Sequence, residues 1–298
     1  MVKKYFKAIR IKNLALLGLI FWGLMLHNYS ESFSFKIDHL LLFTSIIITT
    51  ASGYLINNYY DINSDKINNK NIEDLSKTFY GNCYLLHLFS SLLVLFISDL
   101  SAGWLNLVII THILVYLYSL KLQHWPIIGN LVVAFLSSIV LLIPYWLNGY
   151  FWELENFNLS ENLNQIFVIF CFLLSMKREI VKDMEDIQGD LKTGSYTLAI
   201  VAGQKFAKVI LSVLVLISIV FLIICVLESI LNIQNIFFFL TMISLLVTFL
   251  YKTYQSFEKS DFKTLSNLLK IIVAKEVPNI ASKAIYPRAL QPSGLVFI

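Results

Sequence analysis

Two clusters of acidic residues adjoin apolar stretches of this sequence. Asp61 and Asp65 are four residues apart, and Asn57 precedes them by one helical turn. Carboxylates one turn apart on a helix lie about 5–6 Å from each other, and at an effective dielectric of about 20 they repel by on the order of 3 kcal/mol. The second cluster forms one helical stripe, and its members are Glu179, Asp183, Asp186 and Asp190.

Facing pairs of carboxylates need an intervening cation. Mg²⁺ suits hard oxygen ligands and commonly binds through one or two carboxylates together with substrate phosphate. Arg178 and Lys182 form a basic ridge beside the second cluster and would neutralise phosphate charge. The pattern therefore predicts Mg²⁺ and a diphosphate held between two acidic helices. The alternatives are solvated helix ends or local ion pairs between these acidic residues and their basic neighbours.

The elements that position these residues are membrane helices. The 298-residue chain is 57% hydrophobic and only 14% charged, against about 25% charged in soluble domains, and its mean hydropathy is +0.72. One crossing needs about 20 helical residues, so we predict an all-α, polytopic helical bundle. The expected spans lie near 13–28, 38–57, 83–98, 103–120, 127–147, 163–177, 207–228 and 233–251.

Charge sets the expected orientation. Basic residues collect in cytoplasmic loops, and here they occur at the N-terminus and in alternate loops, whereas Glu153, Glu155 and Glu161 share one loop of the other side. The N-terminus and both acidic clusters are thus predicted to be cytoplasmic, in the plasma membrane of a bacterium or archaeon. The N-terminal apolar run lacks a small-x-small cleavage site and is expected to remain as the first span.

The C-terminal region departs from this pattern. Residues 265–273 begin like a ninth span, but charged residues and Pro278 interrupt it. We therefore expect a single membrane domain over 1–274 and an atypical polar tail over 275–298. The three cysteines have no ligand-like spacing, so neither a disulfide framework nor a thiolate metal site is indicated.

The two acidic motifs resemble those of the UbiA superfamily of intramembrane prenyltransferases. "NNYYDINSD" (57–65) is similar to the family's NDxxDxxxD motif, and "DIQGD" (186–190) is similar to its DxxxD motif. "REIVKDMEDIQGD" resembles the digeranylgeranylglyceryl phosphate synthase branch, and residues 118–136 are similar to the family's segment between the motifs. The resemblance spans roughly residues 10–270.

The resemblance implies a fold, a reaction and a site. The fold would be a nine-helix bundle, here eight clear spans and an interrupted ninth, with a central cavity open to the cytoplasmic side. The reaction would be Mg²⁺-dependent transfer from an isoprenyl diphosphate to a lipophilic acceptor in the bilayer, favouring a prenylglyceryl phosphate, with no role for nucleic acid. The implied residues are Asn57, Asp61, Asp65, Asp186 and Asp190 for metal and diphosphate, Asp183 as a further ligand, and Lys121, Arg178 and Lys182 for phosphate oxygens.

Some features depart from the family pattern. Asn58 stands where the first motif commonly has Asp, and no proline follows Asp65 in the usual place. Prenyl transfer to an aromatic acid of quinone biosynthesis, a polytopic transporter, and an inactive family member are the alternatives. Tyr59, Tyr60 and Tyr118 are the aromatic residues nearest the motifs, and aromatic faces attract carbocations.

Overall fold

The computed structural model describes residues 2–28, 36–68, 75–147, 163–228 and 233–285. Within these ranges the regular elements are all helical, which confirms the all-α prediction. The expected acidic loop at 148–162 and residues 286–298 of the expected tail lie outside the described residues. The helices are α1 (Val2–Ala8), α2 (Ile11–Asn28), α3 (Ile37–Ile67), α4 (Lys77–Phe96), α5 (Ala102–Leu120), α6 (Ile128–Ile139), α7 (Ile143–Tyr145), α8 (Leu163–Thr193), α9 (Leu198–Val201), α10 (Gly203–Glu228), α11 (Ile233–Gln255) and α12 (Lys259–Ile285).

Several helices are long and apolar enough to cross a membrane. In the described part of the chain these are α3, α4, α5 and α10, and α1 with α2 adds a fifth if the bent pair counts as one span. Large apolar side chains point outward from them, including Leu86 and Phe89 on α4 and Leu216 and Val220 on α10. Exposed apolar surface of this extent suits contact with lipid, and the protein is integral to the membrane.

The helices pack into one bundle around an interior space. α3 contacts α4, α5 and α8, while α8 contacts α6, α10 and α12. α12 in turn packs against α2, which contacts α3. One core cluster joins α8, α10, α11 and α12, and two others join the first five helices. The two helices that carry the acidic motifs, α3 and α8, therefore lie side by side in the middle of the bundle.

Both motif helices continue beyond their apolar segments. The membrane spans were expected to end near residues 57 and 177, and the helices run on to Ile67 and Thr193, as the helical spacing of the acidic residues predicted. Backbone hydrogen bonding continues through the polar turns, and Gly194, at φ +74°, follows the end of α8, a conformation that suits glycine. The acidic motifs consequently belong to the last turns of two long helices.

The N-terminal helix α1 is folded across the end of the bundle. α1 and α2 meet at an angle of 57°, and Arg10 between them adopts a left-handed φ of +53°. The Tyr5 hydroxyl and His87 Nε2 share a hydrogen bond of 2.7 Å, and Asn58 Nδ2 donates to the Ala8 carbonyl over 3.1 Å. α1 is thus fastened to α4 and α3.

Candidate active site

A cavity of about 570 Å³ opens between α3, α8 and the N-terminal segment. It receives polar side chains from both acidic motifs, although the two motifs are more than a hundred residues apart in sequence. Six of the residues predicted for metal or diphosphate line it, and they are Asn57, Asp61, Asp65, Arg178, Lys182 and Asp186.

Asp61 is held by two amides on the α3 side of the cavity. Asn57 Nδ2 donates to Asp61 Oδ2 over 2.5 Å, and Gln123 Nε2 donates to Asp61 Oδ1 over 2.8 Å. Gln123 also donates to the Ser119 carbonyl over 2.9 Å, which fixes its side chain. Its backbone lies close to Gly129, where an added Cβ would come within 2.9 Å of Gln123 Cα. The sequence analysis missed Gln123, which lies in the "KLQHWP" segment after α5.

Glu179 forms ion pairs with both residues of the basic ridge, Arg178 and Lys182, on the α8 side of the cavity. Its carboxylate is only 8% exposed and pairs with Arg178 Nη1 at 2.6 Å and with Lys182 Nζ at 3.8 Å. The Glu179 charge raises the pKa of Lys182, and burial of the lysine opposes this effect. Glu179 therefore anchors both basic side chains at the cavity.

Asp183 faces α6 rather than the cavity. Asn130 Nδ2 donates to its Oδ2 over 2.9 Å. Burial raises the pKa of Asp183 to about 7, and the Asn130 hydrogen bond only partly opposes this rise. Asp183 lies beyond the apolar part of α8, and its contact with Asn130 ties the motif to the start of α6.

Asp190 and Lys121 also lie outside the residues that line the cavity. Asp190 Oδ1 accepts a hydrogen bond of 3.2 Å from Ser64 of α3. Lys121 follows the end of α5, and its Nζ lies 5.3 Å from the centroid of the Trp125 ring. Asp190 thus joins the two motif helices, whereas Lys121 is turned toward an aromatic face.

Asn68 fastens the end of α3 to the second motif. The Gly189 N–H donates to Asn68 Oδ1 over 3.0 Å, and Asn68 Nδ2 donates to the Asp186 carbonyl over 3.4 Å. A Cβ on Gly189 would lie 2.2 Å from Asn68 Nδ2, so the contact requires glycine. Lys259 of α12 donates to the Asn68 carbonyl over 2.6 Å. One asparagine therefore aligns α3, α8 and α12 beside the cavity.

The charged cavity continues into an apolar one. A second cavity of about 260 Å³ shares Asn57, Arg178 and Lys182 with the first. A third, of about 200 Å³, shares Thr49 and Tyr54 with the second. The apolar lining of this third cavity comes from α2, α3, α5 and α6 and from the segment that follows α6. Its apolar residues are Leu17, Leu42, Ile46, Leu107, Val108, Leu136, Ile139, Val140 and Ile143. The site can therefore accommodate a molecule with an anionic end and a hydrocarbon chain.

The aromatic residues near the site differ from most of those expected. Tyr118 lines the second cavity, and Tyr54 lines the second and third. Tyr59 instead packs against Lys77, and Tyr60 donates to the Tyr116 hydroxyl over 3.3 Å. Tyr54 and Tyr118 are thus tyrosines that line the inner cavities.

The donor set of the first cavity fits a hard cation. Asp61, Asp65 and Asp186 supply carboxylate oxygens, and Asn57 supplies an amide oxygen. Across the described ranges, no three His, Cys, Asp or Glu side chains lie close enough together to hold a metal ion by themselves, so a bound cation would need further oxygen ligands from substrate or water. An open set of this kind suits Mg²⁺, which keeps waters and takes substrate phosphate as a ligand, and does not suit a structural zinc site.

This bundle and its paired acidic motifs define a prenyltransferase of the membrane. The sequence model of the UbiA prenyltransferase family matches residues 16–271, and the chain belongs to that family, which confirms the resemblance found in the motifs. Digeranylgeranylglyceryl phosphate synthase of Methanosphaera stadtmanae is 32% identical and covers 90% of this chain and 94% of its own length. The enzyme of the same name from Sulfolobus acidocaldarius is 31% identical over 73% of this chain and 77% of its own.

Solved structures show the same fold. A structure of digeranylgeranylglyceryl phosphate synthase in membranes matches with a TM-score of 0.65 at 23% identity, over 95% of this chain and 98% of the other. A UbiA homolog from Archaeoglobus fulgidus bound to DMAPP and Mg²⁺ matches with a TM-score of 0.62 at 15% identity, over 94% and 99%. The UbiA-like architecture is therefore established.

Proposed function

We propose that the protein transfers a prenyl group from an isoprenyl diphosphate to a prenylglyceryl phosphate within the membrane, in an Mg²⁺-dependent reaction. The observation that carries this proposal is the convergence of both acidic motifs on the first cavity. This cavity continues through the second cavity into the apolar third cavity, which we call the apolar groove. The similarity to digeranylgeranylglyceryl phosphate synthases supports the choice of acceptor.

Asn57, Asp61, Asp65 and Asp186 would hold Mg²⁺ in this proposal, because their oxygens line the cavity. The bound ion would act as a Lewis acid toward the leaving diphosphate. The wider ligand set expected from the motifs also contained Asp183 and Asp190. Because they do not line the cavity and accept hydrogen bonds from Asn130 and Ser64, we assign these two residues to aligning the helices.

The protein's own residues bind and shield the reactants. Arg178 and Lys182 contact phosphate oxygens, and Glu179 keeps them in place. The apolar groove holds the prenyl chain and excludes water, which would otherwise capture the allylic cation. The faces of Tyr54 and Tyr118 stabilise positive charge on that carbon. The bond from the allylic carbon to diphosphate oxygen breaks with its electron pair going to the diphosphate, the acceptor oxygen bonds to that carbon, and the acceptor hydroxyl proton passes to the departing diphosphate.

The topology forms part of the proposal. Eight spans and an interrupted ninth cross the membrane, and the cavity opens to the cytoplasm together with the N-terminus, as the distribution of basic residues favours. Residues 1–274 form the catalytic domain, and the match of the family model as far as residue 271 supports this boundary. Residues 275–298 form an appended tail in this proposal, and its first part, 275–285, continues the helix α12.

The test is a product assay with purified protein in lipid nanodiscs. Radiolabelled geranylgeranyl diphosphate and Mg²⁺ are supplied with geranylgeranylglyceryl phosphate or with 4-hydroxybenzoate, and the lipids are identified by mass spectrometry. We expect a diether lipid from the first acceptor and no product from the second. Prenylation of the aromatic acid alone would place the protein in quinone biosynthesis. Binding of the diphosphate without covalent consumption of either acceptor would indicate a transporter or an inactive family member.

A further inference from the structure

The first cavity is lined by a second group of charged side chains in addition to those of the acidic motifs. Its basic residues come from α1, α2, the joint between them and α12, and they are Lys3, Lys7, Arg10, Lys12 and Lys270. We call this set the cationic wall. In the described part of the chain the cavity is lined by seven basic and four acidic side chains. Positive charge is therefore in excess, and five of the seven basic side chains are additional to Arg178 and Lys182.

The cationic wall is a folded part of the protein. Arg10 lies over the face of Tyr54, with 4.8 Å between its Cζ and the ring centroid, and Tyr54 also lines the apolar groove. Lys3 and Lys7 are four residues apart on α1 and so share one helical face. The contacts of Tyr5 and Ala8 described above hold α1 against α4 and α3. The wall is thus presented to the cavity at a fixed place.

A second anion explains this charge better than the diphosphate alone. The diphosphate belongs beside the carboxylates, because Mg²⁺ bridges acidic residues to phosphate. Arg178 and Lys182 already lie beside the second motif, so the five additional basic side chains would meet another phosphate, with which Lys and Arg form strong charge-assisted hydrogen bonds. A donor and an acceptor that both carry phosphate need two such places in one cavity, whereas an aromatic acid lacks that phosphate.

We propose that the cationic wall binds the phosphate monoester of the acceptor lipid and selects acceptors that carry one. This inference rests on the proposed function and deepens it by assigning the acceptor subsite. The same phosphate chemistry occurs in the headgroups of anionic bilayer lipids, so the experiment separates these two sources.

The main test uses Lys3→Gln/Lys7→Gln and Lys270→Gln in nanodiscs of zwitterionic lipid. Lys4→Gln is the matched control, because Lys4 is a neighbour of Lys3 on α1 but does not line the cavity. We expect the KM for geranylgeranylglyceryl phosphate to rise about tenfold in the wall variants, as loss of a charged hydrogen bond predicts. The KM for the prenyl diphosphate and the activity of Lys4→Gln should change less than about twofold, which is under 0.5 kcal/mol.

Binding without Mg²⁺ gives a readout that does not need catalysis. Wild-type protein should bind geranylgeranylglyceryl phosphate more tightly than geranylgeranylglycerol, and the wall variants should lose this preference. Unchanged donor KM in the variants would show that they remain folded. If the KM of the donor rises instead, the wall serves the diphosphate and the inference fails.

Three further outcomes distinguish an acceptor subsite from other roles of the cationic wall. A difference between wild type and wall variants that appears only in nanodiscs containing phosphatidylglycerol would assign the wall to bilayer headgroups and overturn the inference. An active protein whose wall variants match Lys4→Gln would also overturn it while leaving the proposed function intact. A wild-type protein that uses no glyceryl phosphate would refute the proposed function itself, and the acceptor subsite with it.

Discussion

The side chain of Asn68 lies directly against the backbone of Gly189, and the Gly189 N–H donates to Asn68 Oδ1 over 3.0 Å. Asn68 is the residue that follows α3, and Gly189 precedes the last acidic residue of the second motif. The contact therefore sets how far the two motif helices extend relative to each other. A side chain at position 189 would separate them.

Gly189→Ala should impair both stability and turnover. The added Cβ would lie 2.2 Å from Asn68 Nδ2, so Asn68 must move and give up its two hydrogen bonds to α8. We expect a loss of about 1–3 kcal/mol in stability and lower kcat, measured by thermal unfolding in detergent and by product formation. Gly103→Ala is the control, because its Cβ would meet only Ser101 Oγ at 3.6 Å. Equal behaviour of the two variants would contradict the role assigned to Asn68.

Asp61→Asn and Asp186→Asn should each lower turnover by about 10²–10³-fold, the range found when one charge-stabilising group is removed from an active site. Both substitutions keep the shape of the side chain and remove its negative charge. The measurement is kcat as a function of Mg²⁺ concentration.

Asp38→Asn provides the control for these variants. Asp38 is at the opposite end of α3, where its Oδ1 accepts a hydrogen bond of 3.1 Å from the Asp99 N–H. Its replacement should leave turnover unchanged, and wild-type turnover in both motif variants would refute the metal assignment.

Gln123→Ala should lower activity about tenfold, since it removes a hydrogen bond to the charged Asp61 worth about 1.5–3 kcal/mol. The concentration of Mg²⁺ needed for half-maximal activity should rise with it. Gln188→Ala, at an exposed position of α8, should not change either quantity. An unaltered Mg²⁺ dependence in Gln123→Ala would show that Asp61 is positioned without this amide.

Val140→Phe should shift donor preference toward shorter prenyl chains, because Val140 lines the apolar end of the groove. Loss of room for a few methylene groups changes discrimination by about 10–200-fold. The measurement is kcat/KM for geranylgeranyl diphosphate relative to geranyl diphosphate. Val213→Phe controls for the added ring, since Val213 faces outward on α10 and is 49% exposed. The same ratio in both variants would exclude this region as the end of the chain pocket.

Residue spacing predicted that the acidic side chains share helix faces, because each motif lies within one short segment of the sequence. Asp61, Asp65 and Asp186 occur at intervals that a helix converts into faces, and both motifs adjoin apolar runs. Hydropathy gave the apolar spans but not the ends of α3 and α8, because a helix continues wherever its backbone hydrogen bonds do, in apolar or polar surroundings.

Contacts between distant elements could not be predicted in this way. Gln123 reaches Asp61 only through the turn after α5, and Lys3 and Lys7 reach the cavity only because the chain bends at Arg10. The family resemblance implied a phosphate contact for Lys121, and the structure places its Nζ 5.3 Å from the centroid of the Trp125 ring. The spacing of residues within one segment of the sequence does not predict such contacts between distant elements.

The length of α3 and α8 bears on where the products go. Each has 31 residues, about 46 Å at 1.5 Å per residue, whereas the hydrocarbon core is about 30 Å thick. With the topology proposed above, the surplus would place the motif turns at the depth of the lipid headgroups. In the proposed reaction, cleaved diphosphate would leave from that depth into water, and the lipid product would move laterally into its leaflet.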